Sequence, residues 1–119
     1  MPSESADTIV IGAGVVGLAV AHKLALSGRE VLVLESRETF GQETSSRNSG
    51  VIHAGIYYPP GSLKARHCLR GKRLLYDYCD KRRVTVQRCG KLVIASSENQ
   101  LEKLQALADN AARSGLEDL

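Results

Sequence analysis

Residues 9–35, IVIGAGVVGLAVAHKLALSGREVLVLE, constrain this chain more than any other stretch. Thr8-Ile9-Val10-Ile11 is short, apolar and rich in β-branched residues, which predicts a strand buried on both faces. It runs into Gly12-Ala13-Gly14-Val15-Val16-Gly17, where each glycine has a separate physical use. Gly12 permits a tight turn out of the strand, Gly14 lets the backbone approach a pyrophosphate, and Gly17 lets the next helix pack closely on the strand. That helix carries Val16, Val20 and Leu24, with Ala21 and Ala25, at helical spacing, and Gly28 suits the position just past its end. Val31-Leu32-Val33-Leu34 predicts a second buried strand that ends at Glu35.

A helix N-terminus opening onto a glycine turn presents unpaired N–H groups and a positive dipole end to phosphates. Glu35 follows Gly17 by 18 positions, the spacing of an acid that accepts hydrogen bonds from an adenosine ribose. A carboxylate there also repels a 2′-phosphate, which disfavours NADP. A glycine turn alone is weak evidence, but here the strand before it, the helix after it, the second strand and the terminal acid agree. The residues therefore predict a Rossmann-like βαβ unit over 8–35 that holds the ADP half of a dinucleotide.

Residues 36–61 read as a long irregular loop, punctuated by Gly41, Gly50, Gly55, Gly61 and Pro59-Pro60. Val51, Ile52, Ile56, Tyr57 and Tyr58 argue against disorder, and Thr44 to Ser49 supply six neighbouring hydrogen-bonding side chains suited to a phosphate and a polar ring system. A helix is expected from Ser62, its cap, to about Arg82, with Leu63, His67, Leu74, Leu75, Tyr78 and Cys79 on its inner face and Gly71 marking close packing or a bend. Val84-Thr85-Val86 and Leu92-Val93-Ile94-Ala95 predict a β-hairpin turning near Cys89-Gly90-Lys91. Ser97 and Gln100 form a capping box for a last helix with Leu101, Leu104, Ala108 and Ala111 on one face, stopping near Gly115. The fold class is α/β, with an incomplete domain.

At 119 residues the chain suffices for one small domain but is short for a dinucleotide-dependent oxidoreductase with its own substrate region. Charge is segregated: residues 37–91 hold 12 Lys/Arg against 4 Asp/Glu, which suits an anionic cofactor or substrate. The aromatics do not interleave with these basic residues as a stacking platform requires, so nucleic-acid binding is not expected. Cys68, Cys79 and Cys89 lack metal spacing and read as reduced thiols in a cytosol-like compartment; no metal is expected. Met1 to Asp7 is a short polar leader without the features of a secretory signal, and the apolar run at 9–20 is too short to span a bilayer.

From Gly12 to Glu35 the chain resembles the dinucleotide-binding fingerprint of FAD enzymes. TSSRNSGVIHAGIYYPPGSLKARHCLRG, residues 44–71, resembles the L-2-hydroxyglutarate dehydrogenase/oxidase branch of the FAD-dependent D-amino-acid-oxidase-like superfamily. The run Asn48 to Tyr58 is the specific part, and the match continues through Arg88-Cys89-Gly90-Lys91-Leu92. The resemblance implies that the chain corresponds to the N-terminal third of such an enzyme, with 36–61 as the flavin loop and 84–119 beginning a substrate-domain-like segment.

It implies roles as well. Gly12, Ala13, Gly14, Val15, Val16 and Gly17 would cradle the pyrophosphate of FAD, and Glu35, with the adjoining Ser36, would hold the adenosine ribose. Thr44, Ser45, Arg47 and Asn48 would line the pyrophosphate and flavin side, and Gly50 and Val51 would pass close to the isoalloxazine. His53 would lie near the flavin and the substrate carbon, as the catalytic base or as a hydrogen-bonded loop histidine packed under the ring. Arg47 would bind a substrate carboxylate or flavin oxygen, or form a plain salt bridge. His22 and His67 read as packing or surface residues, and Tyr57 and Tyr58 as pocket wall or core.

The implied reaction is oxidation of a small 2-hydroxy acid, such as L-2-hydroxyglutarate, to the 2-oxo acid, with the electron acceptor left open and peripheral membrane association of the parent admitted. A cytoplasmic location is expected, without excluding a mitochondrial or membrane-peripheral one. Two competing readings stand beside it: an amine or amino-acid oxidase with the same cofactor, and a catalytically inert truncated product whose open sheet edge and uncovered apolar face favour aggregation or pairing.

Overall fold

The structure is a computed structural model that describes residues 5–116. Residues 1–4 of the polar leader and 117–119 at the end of the segment begun at 84 lie outside the described residues. The chain divides into two compact units, Met1–Val51 and Ile52–Leu119.

The first unit is the βαβ element that the glycine pattern predicts. Strand β1 (Thr8–Ile11) and strand β2 (Val31–Leu34) pair in parallel, Thr8 opposite Val31 through Ile11 opposite Leu34, with helix α1 (Val15–Leu26) between them in sequence. Three neighbouring hydrogen bonds extend the pairing: Thr8 N–H donates to the Glu30 carbonyl, Gly12 N–H to that of Leu34, and Glu30 N–H to the Asp7 carboxylate. Helix α1 packs on the Val10 face of the sheet. Gly17 is what allows this: a Cβ added there would collide with the Gly12 carbonyl oxygen and touch the Val10 side chain. With Gly17 facing inward, helical geometry turns Ala21 and Leu24 inward too, so Val16 and Val20, expected inside, are exposed instead.

The expectation of strands buried on both faces is met on one face. Thr8, Val10, Val31 and Val33 are half-buried, while Ile9, Ile11, Leu32 and Leu34 on the opposite face are exposed, Ile11 at 87%. A parallel sheet needs a layer on each side. Among the described residues of this unit, α1 is the one helix, and it covers one face.

In the second unit, residues 52–61 lead into helix α2 (Leu63–Arg82), whose first turn is capped by the Ser62 hydroxyl accepting from Ala65 N–H at 3.2 Å. It ends in a Schellman pattern: Val84 N–H donates to the Cys79 carbonyl and Arg83 N–H to that of Asp80, with Arg83 left-handed at φ 57°. The helix runs unbroken through Gly71, where an added Cβ would meet nothing within 4 Å, so Gly71 marks no close packing. Its inward stripe is Ala65, Cys68, Leu69, Lys72, Tyr76 and Cys79. Of the inner face expected from sequence, Cys79 alone is buried; Leu63, His67, Leu74, Leu75 and Tyr78 are exposed. The reason is steric. The backbone at Gly55 packs against Ala65 and Cys68, and small side chains permit that approach where leucines would not.

The expected hairpin is absent: residues 84–95 form no strand, and Leu92 and Ile94 are 92% and 79% exposed. An isolated hairpin without a third strand or a covering helix is marginal in water. The segment is tied instead to α2 through Arg88, whose guanidinium stacks 4.2 Å above the Tyr76 ring and pairs with Asp80 at 3.1 Å. A single 3-10 turn, Glu98–Gln100, then leads into helix α3 (Leu101–Arg113), which stops before Gly115 at φ +83° as expected. The Gln100 side chain accepts from Ser96 N–H, one residue earlier than the expected capping box. The less exposed face of α3 is Leu104, Leu107, Asn110 and Ala111, whereas Leu101 and Ala108 are exposed.

Candidate functional site

In the first unit, several candidate residues meet at the corner where β1 turns into α1. Gly12, at φ +99°, makes the turn, and Gly14 caps α1 without a side-chain hydrogen bond of its own. The loop after β2 returns to this corner twice. Gly41 N–H donates to the Ala13 carbonyl at 3.0 Å, and Ser45 Oγ accepts from Val15 N–H at 2.9 Å. A Cβ added at Gly14 would stand 3.1 Å from that same hydroxyl, so the glycine keeps the mouth of α1 open beside Ser45.

Glu35 is joined to the same turn. Its Oε2 accepts from Ala13 N–H at 2.8 Å, and its Oε1 accepts from Ser36 N–H at 2.8 Å, Arg37 N–H at 3.0 Å and Ser36 Oγ at 3.3 Å. These donors hold the carboxyl below its ordinary value of 4.5, the Ala13 N–H most strongly and the Arg37 N–H next, against a smaller opposing effect of desolvation. A carboxylate offers about four acceptor positions. Oε1 is crowded with donors, while Oε2, engaged by Ala13 alone, keeps capacity for a ribose hydroxyl. Gly12, Ala13, Gly14, Val15, Glu35, Ser36 and Ser45 thus share one corner; Val16 and Gly17 follow on the first turn of α1.

The remaining loop residues are occupied by their own backbone. Arg47 Nη1 donates to the Gln42 carbonyl at 2.7 Å. Asn48 Nδ2 donates to the Ser45 and Thr44 carbonyls at 2.9 and 3.4 Å, and its Oδ1 accepts from Gly50 N–H at 2.8 Å. The Thr44 carbonyl also accepts from Arg47 N–H. These bonds wind 42–50 into a tight turn and leave Val51, 62% exposed, at its end. Arg37 pairs with Glu43 on the loop surface.

An ADP moiety fits this corner on three grounds: the dipole end of α1 faces it, glycine backbone replaces side chains where a pyrophosphate would lie, and an ionised carboxylate with spare acceptor capacity stands beside the turn.

In the second unit, His53 is exposed and lies two residues before buried Gly55. Gly55, at φ +85°, starts a turn closed by Tyr58 N–H donating to its carbonyl at 3.2 Å. Lys91 stands 4.6 Å above the Tyr57 ring, and Lys64 stands 5.6 Å from that of Tyr58. His67 on α2 and His22 on α1 are exposed, in line with surface roles. The residue that sequence reasoning missed is Asn110: its Nδ2 donates to the Ile56 and Tyr58 carbonyls at 2.8 and 2.9 Å. The available signal was a polar amide beside the apolar positions Leu104, Leu107 and Ala111. Cys68, Cys79 and Cys89 are free thiols. Among the described residues, no helix is long and apolar enough to cross a membrane.

The sequence profile of the DAO family, FAD-dependent oxidoreductases, matches residues 7–119. The chain is 57% identical over 104 residues to the mitochondrial L-2-hydroxyglutarate dehydrogenase of Arabidopsis thaliana, covering 87% of this chain and 22% of that protein. It is 42% identical over 120 residues to the Nematostella vectensis enzyme of the same name, covering 99% and 26%. With L-2-hydroxyglutarate dehydrogenase of Escherichia coli it shares 38% over 113 residues, covering 93% and 27%. Among solved structures it resembles FAD-bound, dithionite-reduced L-α-glycerophosphate oxidase of Mycoplasma pneumoniae, with a TM-score of 0.79 and 32% identity over 94% of this chain and 29% of that one. The chain spans about a quarter of the length of the curated relatives it matches, less than the third that the resemblance implied. On this evidence the chain belongs to the FAD-dependent oxidoreductases of the DAO family.

Proposed function

We propose that this chain supplies the ADP-binding corner and the flavin-side loop of an FAD-dependent enzyme that oxidises a 2-hydroxy acid, L-2-hydroxyglutarate in the first instance, to the 2-oxo acid. The observation that carries the reading is the 57% identity across 87% of the chain to a protein named for that substrate, on a unit whose glycine turn, helix end and carboxylate suit the cofactor's ADP half. The structural neighbour is named for a substrate that also bears a hydroxyl, which favours alcohol over amine chemistry.

In this reading α1 and the glycine turn receive the pyrophosphate, Glu35 Oε2 accepts a ribose hydroxyl, and Ser45 borders the phosphates. Bound FAD supplies the two-electron acceptor for the hydride leaving the substrate's C2. His53 takes the hydroxyl proton on an imidazole nitrogen as the carbonyl forms. Arg47 and Asn48 serve the site by holding the 42–50 turn in shape, and Gly50 and Val51 would pass close to the flavin ring. Residues 84–119 begin the substrate-side segment. Three free cysteines suit a reducing compartment, cytosolic or mitochondrial.

The test is anaerobic mixing of the FAD-loaded intact protein with L-2-hydroxyglutarate, its D-enantiomer and L-glutamate. Bleaching of the flavin absorbance by the L-hydroxy acid is expected. Bleaching by the amino acid alone would replace this reading with the amine oxidase, and bleaching by none of them would end it.

A further inference from the structure

We infer that Asn110 is a positioning residue that fixes the segment carrying His53. The inference rests on the reading of His53 as proton acceptor, and it is carried by a convergence within the second unit. Both helices of that unit grip the turn Gly55–Tyr58, and they do so by different means. Helix α2 grips sterically: Gly55 is buried at φ +85°, and a Cβ there would stand 3.1 Å from Cys68 Cβ and 3.4 Å from the Ala65 carbonyl oxygen. Helix α3 grips by hydrogen bonds: the carbonyls flanking Tyr57, those of Ile56 and Tyr58, both accept from Asn110 Nδ2, at 2.8 and 2.9 Å.

A primary amide nitrogen has two N–H donors, and here both are committed across sequence separations of 54 and 52 residues. Asn110 is half-buried beside Ala111, which is 1% exposed. A polar group in such a place is costly unless paired, so the two bonds hold the turn and satisfy the amide together. His53 lies two residues before Gly55 with its side chain exposed. The chain is therefore anchored from two residues after it while its side chain is exposed, which suits a proton acceptor meeting an incoming substrate. Asn110 acts through this backbone.

Asn110→Asp separates hydrogen bonding from shape. The ionised carboxylate keeps the volume, loses both donors and places a negative charge against two carbonyl oxygens. At neutral pH it should therefore release the turn more than Asn110→Ala does. In acid the protonated carboxyl regains one donor, so Asn110→Asp, and not Asn110→Ala, should recover toward the parent.

The experiment is hydrogen exchange by mass spectrometry on the peptide covering 52–58 in the intact protein, each variant compared with the parent at the same pH, alongside steady-state turnover of L-2-hydroxyglutarate. Exchange is expected to rise about tenfold or more in Asn110→Ala, with kcat falling while FAD affinity and KM hold. Leu101→Ala, on the exposed face of the same helix, is the control that leaves both unchanged. Parent-like exchange in Asn110→Asp at neutral pH, or a freed turn with unchanged kcat, would overturn the inference. His53→Gln keeps the two readings apart: undiminished turnover in that variant removes His53 as the base, whereas the exchange data decide on Asn110 either way.

Discussion

Glu35 shows how one side chain can serve the fold and the site together. Its carboxylate ties the end of β2 to the glycine turn through Ala13 N–H, and in the proposed function the same oxygen would accept a ribose hydroxyl. Because its folded pKa is lowered, the carboxyl stays ionised in the folded chain at acidities where the unfolded chain already takes up a proton. Its contribution is therefore complete above the ordinary value of 4.5 and is lost as pH falls through the lowered folded value. The urea midpoint of the parent should exceed that of Glu35→Gln at neutral pH, and the gap should close in acid. Glu35→Ala should also weaken FAD binding by about tenfold, read by fluorescence titration. At Gly17 the constraint is steric: Gly17→Ala drives a methyl into the Gly12 carbonyl oxygen. A loss of about 1–3 kcal/mol in urea unfolding is expected, together with weaker FAD binding because the turn itself must shift.

Among the elements, α2 offers a change in the opposite direction. It ends on Arg83 in the left-handed region, where an L side chain costs about 1–2 kcal/mol and glycine does not. Arg83→Gly should therefore raise stability by about 0.5–1 kcal/mol after the glycine's own entropy cost, seen as a higher urea midpoint. Sequence pattern resolved the elements unevenly, for physical reasons. The βαβ unit was legible because its constraints are local: β-branched runs, a glycine turn and a closing acid specify β1, α1, β2 and the place of Glu35 within a few residues of each other. The inner face of α2 was not legible. Leu63, Leu74 and Tyr78 look like core by hydropathy, but the Gly55 turn selects Ala65 and Cys68, and that contact is not encoded within the helix. The hairpin at 84–95 has strand-forming residues and no strands, since β structure depends on neighbours that the pattern of one segment does not supply. The role of Asn110 was not legible for the same reason: its polar amide beside apolar positions shows in the sequence, but its partners lie more than fifty residues away.

For the whole molecule, the dominant fact is apolar surface left uncovered among the described residues. Ile9, Ile11, Leu32 and Leu34 form one bare sheet face, and α1 exposes Val15, Val16, Val20 and Leu26. A chain of these 119 residues expressed alone should bind a hydrophobic dye and self-associate with rising concentration, and Ile11→Lys should reduce both, as followed by dye fluorescence and sedimentation. The same chain should not sustain dye-coupled oxidation of L-2-hydroxyglutarate; steady turnover by it would show that a quarter of the relatives' length is catalytically sufficient. The Asn110 clamp also bears on the order of events in folding. Helix α2 and the Gly55 turn are near neighbours along the chain and can find each other quickly, whereas a bond spanning more than fifty residues must wait for a large loop to close. The segment bearing His53 is thus secured late, and a nascent chain released before residue 110 would carry the histidine without the tether that holds it.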